Sequence, residues 1–471
     1  MNQRSFAWLG AVVLLSGCAT LTPQAGFDEV SRDSGSRLEQ KIHWYQGGAE
    51  DQAARQAVDA LLAKELDVDG AIQLALLNNQ QLQATYTELG ISQANLVQAG
   101  LLRNPVFSGT WKYEHGDRGR PALDFELGFE FLNILFIPLR TKVAEAEFTL
   151  AKHRVTAMVL DHAAATRSAF YRYQADAWIV DIMAEAVAAA SASLGAAERL
   201  RAAGNITEAM LDGYRLLAAE ARLAHGRASA AAGASREQLN VLMGLDGRSA
   251  NWTAAAQLAP LPATPLNLSA VEQQARDVSL DLEILRARIG VLAAVAGIKK
   301  VESVLPDLEL GYAWEKSIDG EIESGPAISL PIPLFDFGQA RRYAAAMEME
   351  RAQADYRAKA VEVQSAARAA VARLKATRGA VETMVDELIP LSARMQKAAL
   401  LEYNAMQIGV FRLIGAYEKR LTIYQRFVEA LRDYWLARAD LQTLLSGRAV
   451  EITAGPAPSM ASSMSGDAGG H

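Results

Sequence analysis

From Pro138-Leu139 the chain runs for about 65 residues without another proline, rich in Ala, Glu, Arg and Leu, until Gly204-Asn205 breaks it. At about 1.5 Å of rise per residue such a segment makes a rod roughly 100 Å long. An ordinary globular core has no use for an element of that length. A second helical run, Thr207 to Met243, follows the break. Two long arms joined by a Gly-Asn turn predict an antiparallel coiled-coil hairpin.

The plan then returns. Pro333-Leu334 opens another long run, Gly409 interrupts it, and Phe411 to Leu445 forms the return arm. Pro105 and Pro306 lie 201 residues apart, Leu239 and Leu441 lie 202 apart, and Gly204 and Gly409 lie 205 apart. A repeat of this length makes the chain a tandem duplication. The expected organisation is a signal segment 1–17, a lead-in 18–65, a first repeat 66–247, a linker 248–265, a second repeat 266–447 and a structureless tail 448–471. Each repeat holds a helix, a β-hairpin (105–133 and 306–334) and a helical hairpin (138–245 and 336–445). Asp69 and Ser269 are the expected N-caps of the two leading helices, which end before Pro105 and Pro306.

Arg4, the apolar run Phe6–Leu15 and then Leu15-Ser16-Gly17-Cys18 describe a secretory signal, too short to span a bilayer. Cys18 is the chain's single cysteine, so no internal disulfide can form. A net charge of −7 argues against a nucleic-acid partner.

After each proline the hydrophobic period switches to two. Phe107, Trp111 and Tyr113 alternate with Ser108, Thr110, Lys112 and Glu114. Leu123, Phe125, Leu127, Phe129 and Phe131 alternate with Asp124, Glu126 and Glu130. Leu308, Leu310, Tyr312 and Trp314 alternate with Glu309 and Glu315, and a fourth strand is expected over Ala327–Leu334. Strands of about ten residues with one apolar face have the length and pattern of transmembrane barrel strands. Four strands cannot close a barrel, and an open edge in lipid leaves backbone groups unpaired, so other copies of the chain must complete it.

The helical arms carry matching seams. Ile414, Tyr417, Leu421, Tyr424, Val428, Leu431 and Trp435 recur at spacings of three and four. The first copy sets Leu211, Tyr214, Ala218, Ala221, His225, Ala228 and Ala232 on the same seam, mostly small where the second copy is large.

These features resemble the TolC family of outer-membrane efflux channels, in its lipoprotein branch. The matching pieces are Leu15-Ser16-Gly17-Cys18, which is similar to a lipobox, Leu66-Asp67-Val68-Asp69-Gly70-Ala71, Asn104-Pro105, and Leu330-Pro331-Ile332-Pro333-Leu334-Phe335-Asp336-Phe337-Gly338. The resemblance covers residues 18 to 447 and implies a mostly α fold with a small membrane β part. It implies a homotrimer whose protomers each give four strands to a twelve-stranded barrel above a helical tunnel. Diacylation of Cys18 in outer-membrane lipid is implied too, together with a periplasmic adaptor and an inner-membrane pump as partners. The tips Gly204, Asn205, Ile206, Thr207, Gly409, Val410 and Phe411 would contact the adaptor, with the tip glycines left-handed. In well-known members aspartates narrow the periplasmic mouth; counted from Gly409 those positions fall on Gly415 and Glu418, so Glu418 alone keeps the charge. The first helical hairpin opens on Ile137-Pro138-Leu139-Arg140 and lacks the Phe-Asp-x-Gly of the second. With the aromatic face in lipid, Glu114, Asp124, Glu126, Glu130, Glu309 and Glu315 would line the lumen and favour cations.

An enzyme is not expected. The six histidines show no His-Glu-x-x-His spacing, there is no glycine-rich phosphate loop, and no cofactor or metal is called for. The other reading is a periplasmic lipoprotein scaffold or adaptor without a pore. An adaptor would carry one hairpin set in a β domain, against the two hairpins and four amphipathic strands here.

Overall fold

The computed structural model describes residues 22, 24, 26–113, 121–130, 133–247, 250–302, 309–329 and 334–449. Cys18, Glu114, the signal segment and residues 450–471 of the tail lie outside the described residues.

Helices α1 (Phe27–Leu38) and α2 (Ala49–Leu62) precede the short strand β1 (Glu65–Leu66), then α3 (Val68–Asn78) and α4 (Gln80–Gly100). Strands β2 (Val106–Lys112) and β3 (Ala122–Phe129) lead into the long helices α5 (Asn133–Ala202) and α6 (Glu208–Met243). After β4 (Thr253–Ala254) the plan repeats as α7 (Val271–Asp277), α8 (Leu280–Glu302), β5 (Glu309–Lys316), β6 (Ile322–Ser329), α9 (Gln339–Thr383), α10 (Ile389–Asn404) and α11 (Val410–Leu445). The mostly helical fold with a small β part is as expected.

Several local expectations need correction. Asp67, not Asp69, caps α3: it is extended, and its carboxylate accepts from Gly70 N at 2.7 Å. Asp69 already lies in the first turn. Ser269 caps nothing, because its hydroxyl donates to Asn267 Oδ1 at 2.7 Å, and α7 starts behind Ala270 without a side-chain cap. Both leading helices are interrupted, at Asn79 and at Val278-Ser279. Seven or eight residues of each strand lie among the described ones, next to stretches outside the description. The fourth begins at Ile322, because the turn needs only Ser317 to Glu321, closed by Ser317 N donating to Glu321 O at 2.9 Å.

A five-residue π-helical turn, Met384–Leu388, separates α9 from α10. Pro390 explains it: the ring has no N–H to donate and crowds the carbonyl four residues back, so the backbone widens there.

The chain forms two compact units. One comprises residues up to Arg55 with Gln80–Val159 and Leu280–Lys359; the other comprises Gln56–Asn79, Leu160–Ser279 and the chain from Ala360. The internal boundaries recur at a spacing of 200 residues, so each unit takes equivalent segments from both repeats.

The first unit holds a four-stranded antiparallel sheet in the order β2-β3-β5-β6. It also holds α1, which lies against the start of α5. Gly26 turns there with φ +80°, and a Cβ on it would stand 2.8 Å from Phe148 Cζ. Lys152 pairs with Glu29, Arg37 with Asp33 and Glu283, and Phe27 packs edge-on against buried Tyr86 at 5.1 Å.

The second unit holds the main hydrophobic core, in which Phe170, Leu239, Met243, Trp252, Val428 and Leu431 are buried. The interruption at Asn79 serves this core. Asn78 and Asn79 side-chain amides donate to the carbonyls of Val241, Leu242, Met243 and Gly244, satisfying the end of α6. Gly244 has φ +66°, and a Cβ there would meet Asn78 O at 2.8 Å. The segment after α6 is pinned by Arg236, which donates to Tyr173 Oη, Ala250 O and Trp252 O at 2.8–2.9 Å and lies 4.2 Å over the Trp252 ring.

Candidate channel surfaces

In an antiparallel sheet directly opposed residues share a face. Registry puts Phe107, Trp111, Leu123, Phe125, Leu127, Phe129, Leu310, Tyr312, Trp314 and Ile328 on one face. Phe125 sits at its centre, stacked on Phe107 and Trp314 at 5.8 and 5.5 Å and edge-on to Trp111 at 5.7 Å. Gly109 leaves room for that ring: a Cβ there would stand 3.1 Å from Phe125. The face is open, with Phe107, Trp111, Leu127, Tyr312 and Ile328 all more than half exposed.

The opposite face is polar. Thr110, Asp124, Glu315 and Glu323 form one straight row across the four strands. Glu126 stands between Ser108 and Ala313, and Glu309 stands opposite Ser329. Asp124, Glu126, Glu309 and Glu315 thus share the face read from the alternation. Glu130 lies beyond the end of β3, where Arg103 Nη1 reaches its carboxylate at 2.7 Å. Glu323 joins this face because the fourth strand begins at Ile322, a start that the polar Glu-Ser-Gly sequence does not announce and that pairing with β5 imposes. The edge strands β2 and β6 have no partner on their outer sides among the described residues.

The two hairpin tips belong to the second unit. At the first, Gly204 is left-handed with φ +77°, and Asn205 N donates to Leu200 O at 2.8 Å, closing α5. Thr207 caps α6 by accepting from Met210 N at 3.2 Å. Arg201 and Arg215 both reach Glu208, at 2.9 Å each, and hydrogen bonding from Arg201 leads in holding its carboxyl below the usual range. Ile206 offers its carbonyl to Arg201 at 3.3 Å.

The second tip corrects the expectation for Gly409. That glycine has φ −79° and is the N-cap of α11. The left-handed residue is Met406, φ +59°, followed by Gln407 N donating to Glu402 O at 2.8 Å. Gly204 and Met406, like Thr207 and Gly409, therefore correspond at an offset of 202, the offset of the leucines. Val410 and Phe411 begin α11, and the Phe411 ring stacks on Tyr214 at 4.1 Å.

Two turns into α11, Glu418 is half-buried, and burial raises its carboxyl above the ordinary range. Its negative charge also adds to the elevation of the Tyr214 phenol, which is raised chiefly by burial. The adjacent Tyr417 hydroxyl donates to Glu185 Oε2 at 3.1 Å. Among the described residues no group of three or more His, Cys, Asp or Glu could hold a metal ion. One helical stretch among them, Ile134–Ala202, is long and apolar enough to cross a membrane by length and composition alone.

No family model matches the chain. It is 23% identical over 394 residues to the cobalt-zinc-cadmium resistance protein CzcC of Cupriavidus metallidurans, covering 81% of this chain and 90% of that one. Its fold matches the CmeC outer membrane channel of Campylobacter jejuni with a TM-score of 0.65 at 16% identity, over 81% of this chain and 86% of that one. The fold is that of the TolC-family outer-membrane channels. The outer membrane protein VceC of Vibrio cholerae also matches, with a TM-score of 0.60 at 17% identity over 81% of this chain and 96% of that one. The TolC-family resemblance read from the sequence holds in these comparisons.

Proposed function

We propose that this chain is the outer-membrane channel of an efflux system. Three copies complete a twelve-stranded barrel and a helical tunnel. Substrate moves passively outward, delivered by an inner-membrane pump through a periplasmic adaptor that contacts the hairpin tips. A diacylated Cys18 adds a lipid anchor to the same membrane. The observation that carries this reading is the sheet: an exposed aromatic face, a polar opposite face and two edges without a partner among the described residues. A sheet of that kind suits lipid on one side, water on the other, and neighbouring copies at both edges.

The substrate class we infer is metal cations. The carboxylates of the polar face suit cations, and the relative CzcC is named for cobalt, zinc and cadmium resistance. The test is reconstitution. Purified mature protein should run as a trimer and give stepwise conductance in a planar bilayer. A monomer without conductance would refute the channel. Deletion should sensitise the host to zinc, cobalt or cadmium; unchanged tolerance of all three would remove the metal assignment.

A further inference from the structure

The lead-in before β1 carries a cleft for which a channel has no evident use. It is open, about 500 Å³ in volume, and its lining includes Gln24, His43, Trp44, Gln46, Glu50 and Asp51. Small-molecule sites ordinarily enclose ~300–1,000 Å³.

The walls of the cleft are held in place. The Asp51 carboxylate accepts from His43 Nε2 at 2.8 Å and from Gly47 N at 2.7 Å, which closes the turn before α2. Gln83 of α4 clasps the same segment, accepting from Tyr45 N at 2.9 Å and donating to His43 O at 2.8 Å. The Trp44 ring leans on Phe27 at 5.8 Å and on Tyr86 at 6.5 Å. Walls fixed in this way lose little freedom when a ligand enters.

Several polar groups of the lining are nevertheless unengaged. His43 Nδ1, Trp44 Nε1, the Gln24 amide and the Glu50 carboxylate have no hydrogen-bond partner among the described residues. An indole N–H that is partly buried ordinarily finds one. Together these groups offer donors and acceptors beside an aromatic ring.

The lining also narrows the ligand. No Lys or Arg is among the lining residues, and the carboxylates of Glu50 and Asp51 disfavour phosphate and other anions. No three metal-ligating side chains come together among the described residues. A wholly apolar ligand would strip water from the polar groups without replacing its bonds. What fits is a neutral molecule whose hydroxyls both donate and accept and whose C–H face can lie on an indole, which is a saccharide.

The compartment follows from the fold. Gly26, at the start of α1, presses on Phe148 well inside α5, and Trp44 packs on Phe27 of α1, so the cleft lies on the helical side of the sheet. With the sheet in the outer membrane, that side is the periplasm, where the tunnel passes through the cell-wall glycan. We propose that this cleft binds a glycan strand of the cell wall, with Trp44 under the sugar ring and His43, Gln24 and Glu50 on its hydroxyls. The assignment takes its compartment from the channel reading and its ligand from the cleft.

The test uses purified full-length protein in detergent, sedimented with purified peptidoglycan sacculi and, separately, with lipopolysaccharide. Two variants accompany it. Gln24→Ala with Glu50→Ala alters two exposed side chains, and Trp44→Phe keeps the ring packing but removes the N–H. The wild type is expected to sediment with sacculi equally at low and high salt, since a neutral ligand is not screened. Each variant should bind about tenfold more weakly. No sedimentation with sacculi, loss of it at high salt, equal binding by both variants, or binding to lipopolysaccharide alone would overturn the glycan site. Bilayer conductance is the separate readout: protein that binds sacculi but does not conduct would overturn the channel and leave the site standing, and variants that conduct normally while binding weakly support both.

Discussion

Met406 holds at the second hairpin tip the place that Gly204 holds at the first: both are left-handed, 202 residues apart, and each is followed by the same backbone bond. Met406 is 94% exposed, so its side chain has no packing to offset the strain of φ +59°. Met406→Gly is expected to stabilise the protein by about 0.5–1 kcal/mol. Gly204→Met should cost about 1–2 kcal/mol, the ordinary penalty for a Cβ in that conformation. Thermal unfolding of the full chain in detergent measures both. Equal midpoints for the three proteins would show that the tips do not hold this geometry.

Arg236 donates to two carbonyls of the segment between the repeats and covers the buried Trp252 ring. Arg236→Ala leaves those acceptors with weaker partners and uncovers the ring, a loss of about 2–4 kcal/mol. Arg236→Lys keeps the charge but not the planar fork, so it should recover only part. Limited proteolysis within 250–265 should rise in the same order.

Glu418 gives a signed pH dependence. Burial raises its carboxyl in the folded state, so the fold prefers the protonated form. That contribution is fully present below the unfolded value of about 4.3 and is lost as pH rises through the folded one. Glu418→Gln carries no such charge. Its stability relative to wild type should be flat below about pH 4 and grow towards neutrality. A difference that is constant with pH, or that grows on acidification, would contradict the burial of Glu418.

The polar sheet face predicts a pore that prefers cations. Threefold repetition would turn Asp124, Glu126, Glu309, Glu315 and Glu323 each into a ring. Salt screens such rings over about 10 Å at 0.1 M, so preference should weaken as salt rises. Reversal potentials under a KCl gradient check this. Glu126→Gln with Glu309→Gln should reduce the preference, and Glu323→Gln should reduce it further. Anion preference at low salt is the contrary outcome.

The architecture was legible because its signals are long. A proline-free run closed by Gly204-Asn205, a period of two around Phe125, and leucines 202 residues apart all survive small errors of placement. What failed was local and had near-equal competitors. Asp67 and Asp69 are both good caps two residues apart, and only backbone geometry selects Asp67. Gly409 resembled Gly204 by residue type, yet the left-handed turn belongs to Met406, which sequence preference would have rejected. Ile322 to Gly325 is as polar as a loop and becomes a strand because β5 pairs with it. The cost of that one displacement was Glu323.

Gly26, pressed against Phe148, fixes the length of a leash. Helix α5 begins 15 residues before Phe148, about 22 Å away along its axis. Cys18 lies eight residues before Gly26, a reach of at most about 29 Å. If Cys18 is acylated as proposed, that acyl group could regain the level at which α5 starts with only a few ångströms to spare. The lead-in would then act as a depth gauge, because an anchored Cys18 and a membrane-inserted sheet would have to agree to within that slack.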